Sequence, residues 1–364
     1  MRLRVTAAAA VLALPLVACS DDAPGSAPGG SPSSVEPSGT PSVVEPTGAP
    51  SVVEPSGTPS VVEPTSEASR VETTPRATSP VSLPALMREE LPTSRIRVLR
   101  ERLSTDAYRR FEVAYRADDV RVTGVLYRPR GRGPFPGVVL AHGHIEPSIY
   151  VTGQGLTREQ IRLANEGFAV LHTDYRGHAG SDPATGVDVE TRLGYARDTI
   201  AAVQALAGLP YVDPERLGLL GRSMGGGVVM DVLVARPGLV DAAVLYASVS
   251  SRFLDNLRRW TIPERPDAAE ALFDRFGRPG QRPEFYAGLS PRTYFDRITE
   301  PVLAHHGTSD DSCPIRWAHT THDLMRRAGV DSRLRVYQGE EHAFGPQWDL
   351  SMRRTVRFLR AELD

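Results

Sequence analysis

The hydrophobic pattern divides this 364-residue chain into three parts. Residues 5–18 are a short apolar run, residues 20–80 contain no aromatic side chain, and the first aromatic residue is Tyr108. Shortly after it, segments 109–116 and 120–128 alternate apolar and polar residues on either side of a short turn. This alternation predicts a β-hairpin with one buried face.

Beyond the hairpin, continuous apolar runs alternate with segments of helical spacing. Continuous apolar strands are typical of a mostly parallel sheet with helices on both faces, in which sites lie at the carboxyl ends of the strands. The pattern predicts strands at 137–141, 168–173, 217–220, 242–246, 301–305 and 334–337, and helices at 158–166, 192–207, 227–235 and 350–363.

Residues 251–300 interrupt this alternation. A connection of this length is long for a compact domain and favours a functional insertion. We predict that it forms a cap over the site, built around its large aromatic residues Trp260, Phe273, Phe276, Phe285 and Tyr286.

The first nineteen residues have the organisation of an export signal. Arg2 and Arg4 precede the apolar run, which is too short to span a bilayer, and residues 16–19 read Leu-Val-Ala-Cys. This ending resembles the lipobox of bacterial lipoproteins, in which the cysteine is acylated. The resemblance implies that Cys19 anchors the protein to the outer face of a cell membrane; the alternative is an ordinary secretory signal that contains a cysteine.

Residues 20–80 form a low-complexity segment. A nine-residue repeat is visible in 42–50 and 51–59, and its prolines forbid a helix or a central strand. The composition predicts a solvated, disordered tether between the membrane and the enzyme, with a spacer of no required length as the alternative.

Residues 81–364 are then sufficient for one large α/β domain. The charges nearly balance, with 42 basic and 44 acidic residues, and all the basic residues are arginine. Because the chain contains no basic run, nucleic acid is not an expected partner.

Gly221-Arg222-Ser223-Met224-Gly225-Gly226 stands between a predicted strand and a predicted helix. A sharp strand-to-helix turn needs small residues two positions before and two after the turn residue, and it projects the serine hydroxyl beside the helix N-terminus. The context predicts a serine hydrolase.

A serine hydroxyl needs a base that a carboxylate orients. Segment 306–314 follows one predicted strand and contains Asp310 and Asp311, and segment 339–345 follows the next and contains His342. The order serine, aspartate, histidine is that of the α/β-hydrolase fold.

These segments make the domain from about residue 109 onward similar to the catalytic domain of the prolyl oligopeptidase family. The resemblance rests on Gly221-x-Ser223-x-Gly225-Gly226, on the H-G-x-x-D-x-x-x-P pattern of 306–314, and on Glu341-His342 before a Phe/Gly loop. It implies that Ser223 is the nucleophile, His342 the general base and then acid, and Asp310 the orienting carboxylate. Asp311 is the rival for the last role.

Oxyanion stabilisation requires two amide donors. The first is expected from Met224, which follows the nucleophile. By analogy with the H-G-x loop of this fold, the second is expected from His144, and His142 is expected to brace the loop.

Nine histidines raise the question of a metal. His142 with His144, or His319 with His322 near Cys313, could pair as ligands, but no carboxylate completes either pair at a familiar spacing. We therefore expect no metal and no cofactor, and we expect Cys313 to be a small buried apolar residue.

The sequence thus predicts an extracytoplasmic, membrane-anchored serine hydrolase that cleaves a small carboxylic ester. One alternative is a peptidase of the prolyl oligopeptidase family that acts on short peptides. The other is a surface binding module with a disused triad. The substrate itself is beyond the sequence, because these hydrolases share their machinery and differ in pocket shape.

Overall fold

A computed structural model describes residues 74–92 and 94–364. The predicted signal, its Cys19 and the predicted tether up to residue 73 lie outside the described residues, so the domain boundaries stay predictions. No helix in the described ranges is both long and apolar enough to cross a membrane.

Nine strands form one sheet in the order β1-β2-β3-β5-β4-β6-β7-β8-β9. The strands are β1 Arg97–Ser104, β2 Tyr108–Ala117, β3 Val120–Pro129, β4 Phe135–Ala141, β5 Ala169–Thr173, β6 Val212–Arg222, β7 Ala242–Tyr246, β8 Val302–Gly307 and β9 Ser332–Tyr337. The pairings β1–β2, β2–β3 and β3–β5 are antiparallel. All the other pairings in this order, β5–β4, β4–β6, β6–β7, β7–β8 and β8–β9, are parallel. The predicted hairpin is therefore β2–β3, with Ala117 opposite Val120 at its turn.

Eleven α-helical segments accompany this sheet in the described ranges. They are α1 Leu83–Leu86, α2 Thr157–Asn165, α3 Gly186–Thr191, α4 Leu193–Ala207, α5 Met224–Ala235, α6 Phe253–Asn256, α7 Ile262–Glu264, α8 Pro266–Phe276, α9 Pro283–Gly288, α10 Ile315–Arg327 and α11 Trp348–Leu363. Four helices of this set are the ones that the sequence predicts, namely α2, α4, α5 and α11, with small shifts at their ends. The pattern does not indicate α10, whose buried face is limited to Trp317, Thr321 and Met325.

The two faces of the sheet bury separate cores. In β4, Val139 packs with α4 and α5, whereas its neighbours Val138 and Leu140 pack with α2 and α11. Successive side chains of a strand point to opposite faces, so a strand covered on both sides must be apolar throughout. This explains why the central strands read as continuous apolar runs.

The predicted insertion between β7 and β8 is helical. It contains α6 to α9, a π-helical turn Leu257–Thr261 and a 3₁₀ segment Pro291–Arg297. Phe273, Phe285 and Tyr286 are buried within the larger core, so much of the aromatic content of the insertion serves packing.

Candidate active site

Ser223 occupies a sharp turn between β6 and α5. Its backbone is in the left-handed region, at φ 56° and ψ −121°. The Ser223 amide donates to the Tyr246 carbonyl at 2.9 Å, and its carbonyl accepts from the amides of Gly226 at 3.0 Å and Val249 at 3.2 Å. The surrounding strands thus hold a strained backbone conformation that presents the hydroxyl at the start of a helix.

The flanking glycines allow this turn because backbone passes directly over them. A Cβ at Gly221 would lie 2.3 Å from the Gly225 carbonyl oxygen, and one at Gly225 would lie 2.0 Å from the Ala141 carbonyl oxygen. Neither position can hold a side chain unless the backbone moves. The glycines of the G-x-S-x-G pattern are therefore a steric requirement of this fold.

Asp310 and His342 meet in the structure. The Nδ1 atom of His342 lies 2.9 Å from Oδ2 and 3.1 Å from Oδ1 of Asp310. Asp310 is buried, and its Oδ1 also accepts from the amides of Ser312 at 3.0 Å and Cys313 at 2.7 Å. The carboxylate can therefore hold the Nδ1–H tautomer of His342 and leave Nε2 available as a base.

Burial by itself would raise the pKa of Asp310, but hydrogen bonds from His306, His342 and the Cys313 amide hold it well below its ordinary value. The Nε2 atom of His306 lies 3.3 Å from Asp310 Oδ2 and 2.7 Å from the Cys313 carbonyl oxygen. Asp311, the rival in the sequence, is exposed, and its backbone carbonyl accepts from Arg259. The structure thus brings Asp310, and not Asp311, to His342.

The loops that carry these two residues are packed against each other. A Cβ at Gly307 would lie 2.1 Å from the Glu340 carbonyl oxygen, and the Ser309 amide donates to that oxygen at 3.0 Å. From α2, Arg158 donates to the carbonyls of Ala343 at 2.8 Å and Phe344 at 3.0 Å. These contacts fix the backbone on both sides of His342.

Cys313 lies near both parts of the site. Val249, whose amide donates to the Ser223 carbonyl at 3.2 Å, packs in one cluster with Cys313. Burial raises the pKa of the Cys313 thiol. The thiol sulfur lies within 4.8 Å of a ligand atom of Asp310 and of His342. Across the described residues no hydrogen bond joins Ser223 directly to His342. In serine hydrolases without substrate this hydrogen bond is often long, and it shortens when substrate binds.

The predicted oxyanion loop passes beside the nucleophile. A Cβ at Gly143 would lie 3.2 Å from the Ser223 Cβ and 3.8 Å from its Oγ. The amides of the two predicted donors, Met224 and His144, have no acceptor among the residues that the structure describes. Both N–H groups can therefore serve a substrate oxygen.

His142 lies beneath this loop. It is buried, its Nδ1 lies 2.6 Å from the Gly143 carbonyl oxygen, and its ring is 4.8 Å from the stacked ring of Tyr150. Burial lowers the pKa of His142 to about 3, so the ring is neutral. Asp174, also buried, accepts from Tyr150 Oη and from the Gly153 amide, each at 2.8 Å. These residues fix the path of the loop.

A charged residue of the insertion acts on the same loop. Arg265, which pairs with Glu190 of α3 at 2.9 Å, adds a smaller contribution to the lowering of the His144 pKa, which burial dominates.

Asp310, Cys313 and His342 are also the group of three potential metal ligands that the described residues contain. However, Nδ1 of His342 is engaged with Asp310, and the raised pKa of Cys313 opposes the thiolate that a metal would require. This donor set fits a hydrogen-bonded triad better than a metal centre.

Several supporting residues were missed by the sequence analysis. Asp174 and Tyr150 brace the oxyanion loop, and His306 braces Asp310. Asp174 directly follows the predicted strand 168–173, but its partner Tyr150 stands 24 residues away in the chain. His306 stands four residues before Asp310 in the 306–314 pattern, so that spacing was a signal in the sequence. Glu159 is a further supporting residue that the sequence did not indicate. Its carboxylate accepts hydrogen bonds from Arg222, which precedes the nucleophile, and from Trp348.

Comparison with known proteins agrees with this geometry. Residues 155–364 match the model of the prolyl oligopeptidase family. The chain is similar to the uncharacterized peptidase YtmA of Bacillus subtilis, with 27% identity over 252 residues that cover 69% of this chain and 91% of YtmA.

Solved structures show the same fold. The acylaminoacyl peptidase of Pyrococcus horikoshii is 20% identical with a TM-score of 0.56, over 71% of this chain and 42% of that one. Acetyl xylan esterase 1 from Thermoanaerobacterium sp. JW/SL YS485 is 18% identical with a TM-score of 0.57, over 76% of this chain and 92% of that one. The predicted α/β-hydrolase fold is confirmed, and the chain spans less than half of the acylaminoacyl peptidase.

Proposed function

The chain belongs to the prolyl oligopeptidase family of serine hydrolases, and on this premise we propose that it hydrolyses carboxylic esters through an acyl-enzyme formed on Ser223. The observation that carries the proposal is the contact between Asp310 and His342 on loops packed together beside Ser223. That arrangement supplies the base and its orienting group where the nucleophile projects.

In the acylation step, the Ser223 oxygen attacks the ester carbonyl carbon while its proton passes to Nε2 of His342. The charge on the carbonyl oxygen is held by the N–H groups of Met224 and His144. His342 then donates the proton to the leaving alcohol oxygen as the carbon–oxygen bond breaks. Asp310 stabilises the imidazolium through Nδ1–H and remains ionised.

Deacylation reverses these roles. A water molecule attacks the acyl carbon, its proton passes to His342, and the Ser223 oxygen leaves with that proton. The free carboxylic acid departs and the enzyme is restored. The neutral, buried His142 keeps the loop that carries His144 in place through both steps.

Cleavage of short peptides is the competing proposal, and family membership supports it equally. Esters and amides use the same Ser223, His342 and Asp310, and they differ in how the leaving group is protonated. We place esters first because this chain spans 92% of the structurally similar acetyl xylan esterase 1 and 42% of the structurally similar acylaminoacyl peptidase.

We also propose that the enzyme works outside the cytoplasm, attached to the outer face of a membrane through acylated Cys19. The support is the sequence alone: two arginines, an apolar run of 14 residues and the Leu-Val-Ala-Cys ending. Incorporation of radiolabelled fatty acid into the full chain, lost in Cys19→Ala, is the expected result. A wild-type chain that takes up no label contradicts the anchor.

The activity is tested on the purified full chain with matched substrates, p-nitrophenyl butyrate and the p-nitroanilides of short peptides. We expect the ratio of kcat/KM for the ester to kcat/KM for the anilide to exceed the ratio of their uncatalysed hydrolysis rates. Anilide turnover above ester turnover would reverse the ranking in favour of a peptidase.

Ser223→Ala should lower kcat by roughly 10⁶-fold and abolish labelling by a fluorophosphonate probe. Ser309→Ala, at an exposed serine of the loop that carries Asp310, is the matched control and should retain both. Wild-type protein that labels no more than Ser223→Ala would be a binding module rather than a hydrolase.

A further inference from the structure

Residues of the insertion and of α10 form an open basin on the protein surface that is lined by four arginines. The basin has a volume of about 460 Å³, and its charged lining consists of Arg258, Arg259, Arg292, Arg316 and a single carboxylate, Asp255. Trp317 supplies an apolar wall. This lining is strongly positive in a chain whose charges otherwise nearly balance.

Two arginines elsewhere on the insertion, Arg278 and Arg282, have carboxylate partners. Arg278 lies 2.6 Å from Glu270, and Arg282 lies 2.6 Å from Glu284. In the basin, by contrast, Arg258 and Arg316 have no carboxylate within 4.0 Å among the described residues. Their guanidinium groups are therefore available to an outside anion.

Arg292 is a pre-positioned part of the basin. Its Nη2 hydrogen-bonds the Ser250 hydroxyl at 3.1 Å and lies 3.4 Å from Asp255 Oδ2. Its Nε is buried and has no acceptor in the described part of the chain. Because a fixed guanidinium loses little conformational entropy on binding, Arg292 suits recognition of a carboxylate or phosphate.

The basin lies close to the turn that carries the nucleophile. Trp317 packs in one small cluster with Cys313 and Val249, and the Val249 amide donates to the Ser223 carbonyl at 3.2 Å. Arg259 donates to the carbonyl of Asp311, the residue after the orienting carboxylate. The Trp317 wall of the basin thus packs against a residue that contacts the Ser223 backbone.

A further arginine lies beside the helix that follows the nucleophile. Arg192 is buried, and a Cβ at Gly227, four residues after Ser223, would lie 3.0 Å from its Nη1. Its Nε and Nη2 have no hydrogen-bond partner within the described ranges. A buried guanidinium group without hydrogen-bond acceptors lowers the stability of the folded protein. This guanidinium group lies beside the helix that begins after the nucleophile.

Resting on the proposed ester hydrolysis, we propose that this arginine basin binds a negatively charged group of the substrate, so that the enzyme prefers esters carrying a carboxylate or phosphate. The anion can belong to the acyl group or to the leaving alcohol. The basin supplies several donors and a wall that excludes water on one side, which strengthens a charged hydrogen bond.

Two sets of substrates separate these sources of charge. The acyl arm compares p-nitrophenyl hemiesters of succinate, glutarate, adipate and suberate with p-nitrophenyl butyrate, and the alcohol arm compares 3-acetoxybenzoate with phenyl acetate. At low salt, we expect kcat/KM for at least one anionic ester to exceed that of its neutral match by roughly tenfold. The preference should shrink at 0.5 M NaCl because salt screens it.

The double variant Arg258→Gln/Arg316→Gln should lower kcat/KM for the preferred anionic ester about tenfold more than for its neutral match. Arg278→Gln/Arg282→Gln removes two positive charges from the part of the insertion outside the basin and should leave that ratio unchanged. Equal losses on both substrates, or no anionic preference in either arm of the wild type, would overturn the proposal.

A binding measurement separates this proposal from ester hydrolysis itself. Titration calorimetry of full-length Ser223→Ala with glutarate should show binding that weakens when Arg258→Gln/Arg316→Gln is added. If neutral esters are hydrolysed but glutarate does not bind and no anionic ester is preferred, the basin proposal fails alone. If no ester is hydrolysed yet glutarate binds through these arginines, the ester proposal fails and the anion site stands.

Discussion

Two buried charged residues near the active site, Asp310 and Arg192, differ in how fully their hydrogen bonds are satisfied. Asp310 accepts hydrogen bonds from two backbone amides and His342, with His306 also in reach, so every side of the carboxylate is occupied. Arg192 has two donor nitrogens without an acceptor in the described residues. The carboxylate that must hold one geometry throughout the reaction has its hydrogen bonds satisfied, whereas the equally buried Arg192 keeps two donors unsatisfied at a cost in stability.

The largest test of this contrast removes the enclosed charge. Asp310→Asn should lower kcat by roughly 10⁴-fold, because an asparagine oxygen cannot stabilise the imidazolium and favours the wrong tautomer of His342. Asp311→Asn is the matched control one residue away and should change kcat by less than threefold. The measurement is the steady-state rate on p-nitrophenyl butyrate, and a reversal of the two results would assign the orienting role to Asp311.

The second test concerns the countercharge of Arg192. Burial raises the pKa of Asp231 to about 7, despite the opposing effect of Arg192. The folded protein thus holds a proton here that the unfolded chain, with an ordinary aspartate near 3.9, has released between pH 4 and 7. Stability from this group is complete below about pH 4 and is lost as the pH rises towards 7.

Relative to Asp231→Asn, the free energy of unfolding of the wild type should therefore decrease by up to roughly 1.4 kcal/mol per pH unit over that range. Urea unfolding at pH 4.5 and pH 7.5 measures the difference, and Asp274→Asn, at an exposed carboxylate of α8, is the control. If the stability of Asp231→Asn has the same pH dependence as that of the wild type, Asp231 is ionised in the folded protein and neutralises Arg192. Arg192 would then no longer contrast with Asp310.

The smallest effect is expected from the oxyanion loop. Tyr150→Phe removes the hydrogen bond to Asp174 that fixes the segment after His144 and should lower kcat about tenfold, with little change in KM, because the loop stabilises the transition state more than the bound substrate. Tyr108→Phe, at a buried tyrosine of β2 whose ring packs against Tyr127, is the control. A raised KM with unchanged kcat would show that the loop binds substrate instead.

The sequence predicted the central architecture well because parallel strands covered on both faces are apolar throughout. It missed α10, which buries only three residues, and β1, all of whose residues are exposed at the edge of the sheet. An element with little buried surface leaves little hydrophobic pattern. The predicted cap is helical, but Phe273, Phe285 and Tyr286 proved to be core residues, since an aromatic residue in the sequence does not reveal what it faces.

The sequence alone determined the strained serine turn and the order of serine, acid and base, because these depend on the residue types that a tight turn and successive strand ends accept. Only the tertiary structure decided that Asp310 rather than Asp311 meets His342, since two adjacent side chains differ in direction and not in chemistry. The arginine basin is likewise a product of folding. Its members come from the insertion and from α10, and the excess of four arginines over one carboxylate becomes visible only where these segments meet.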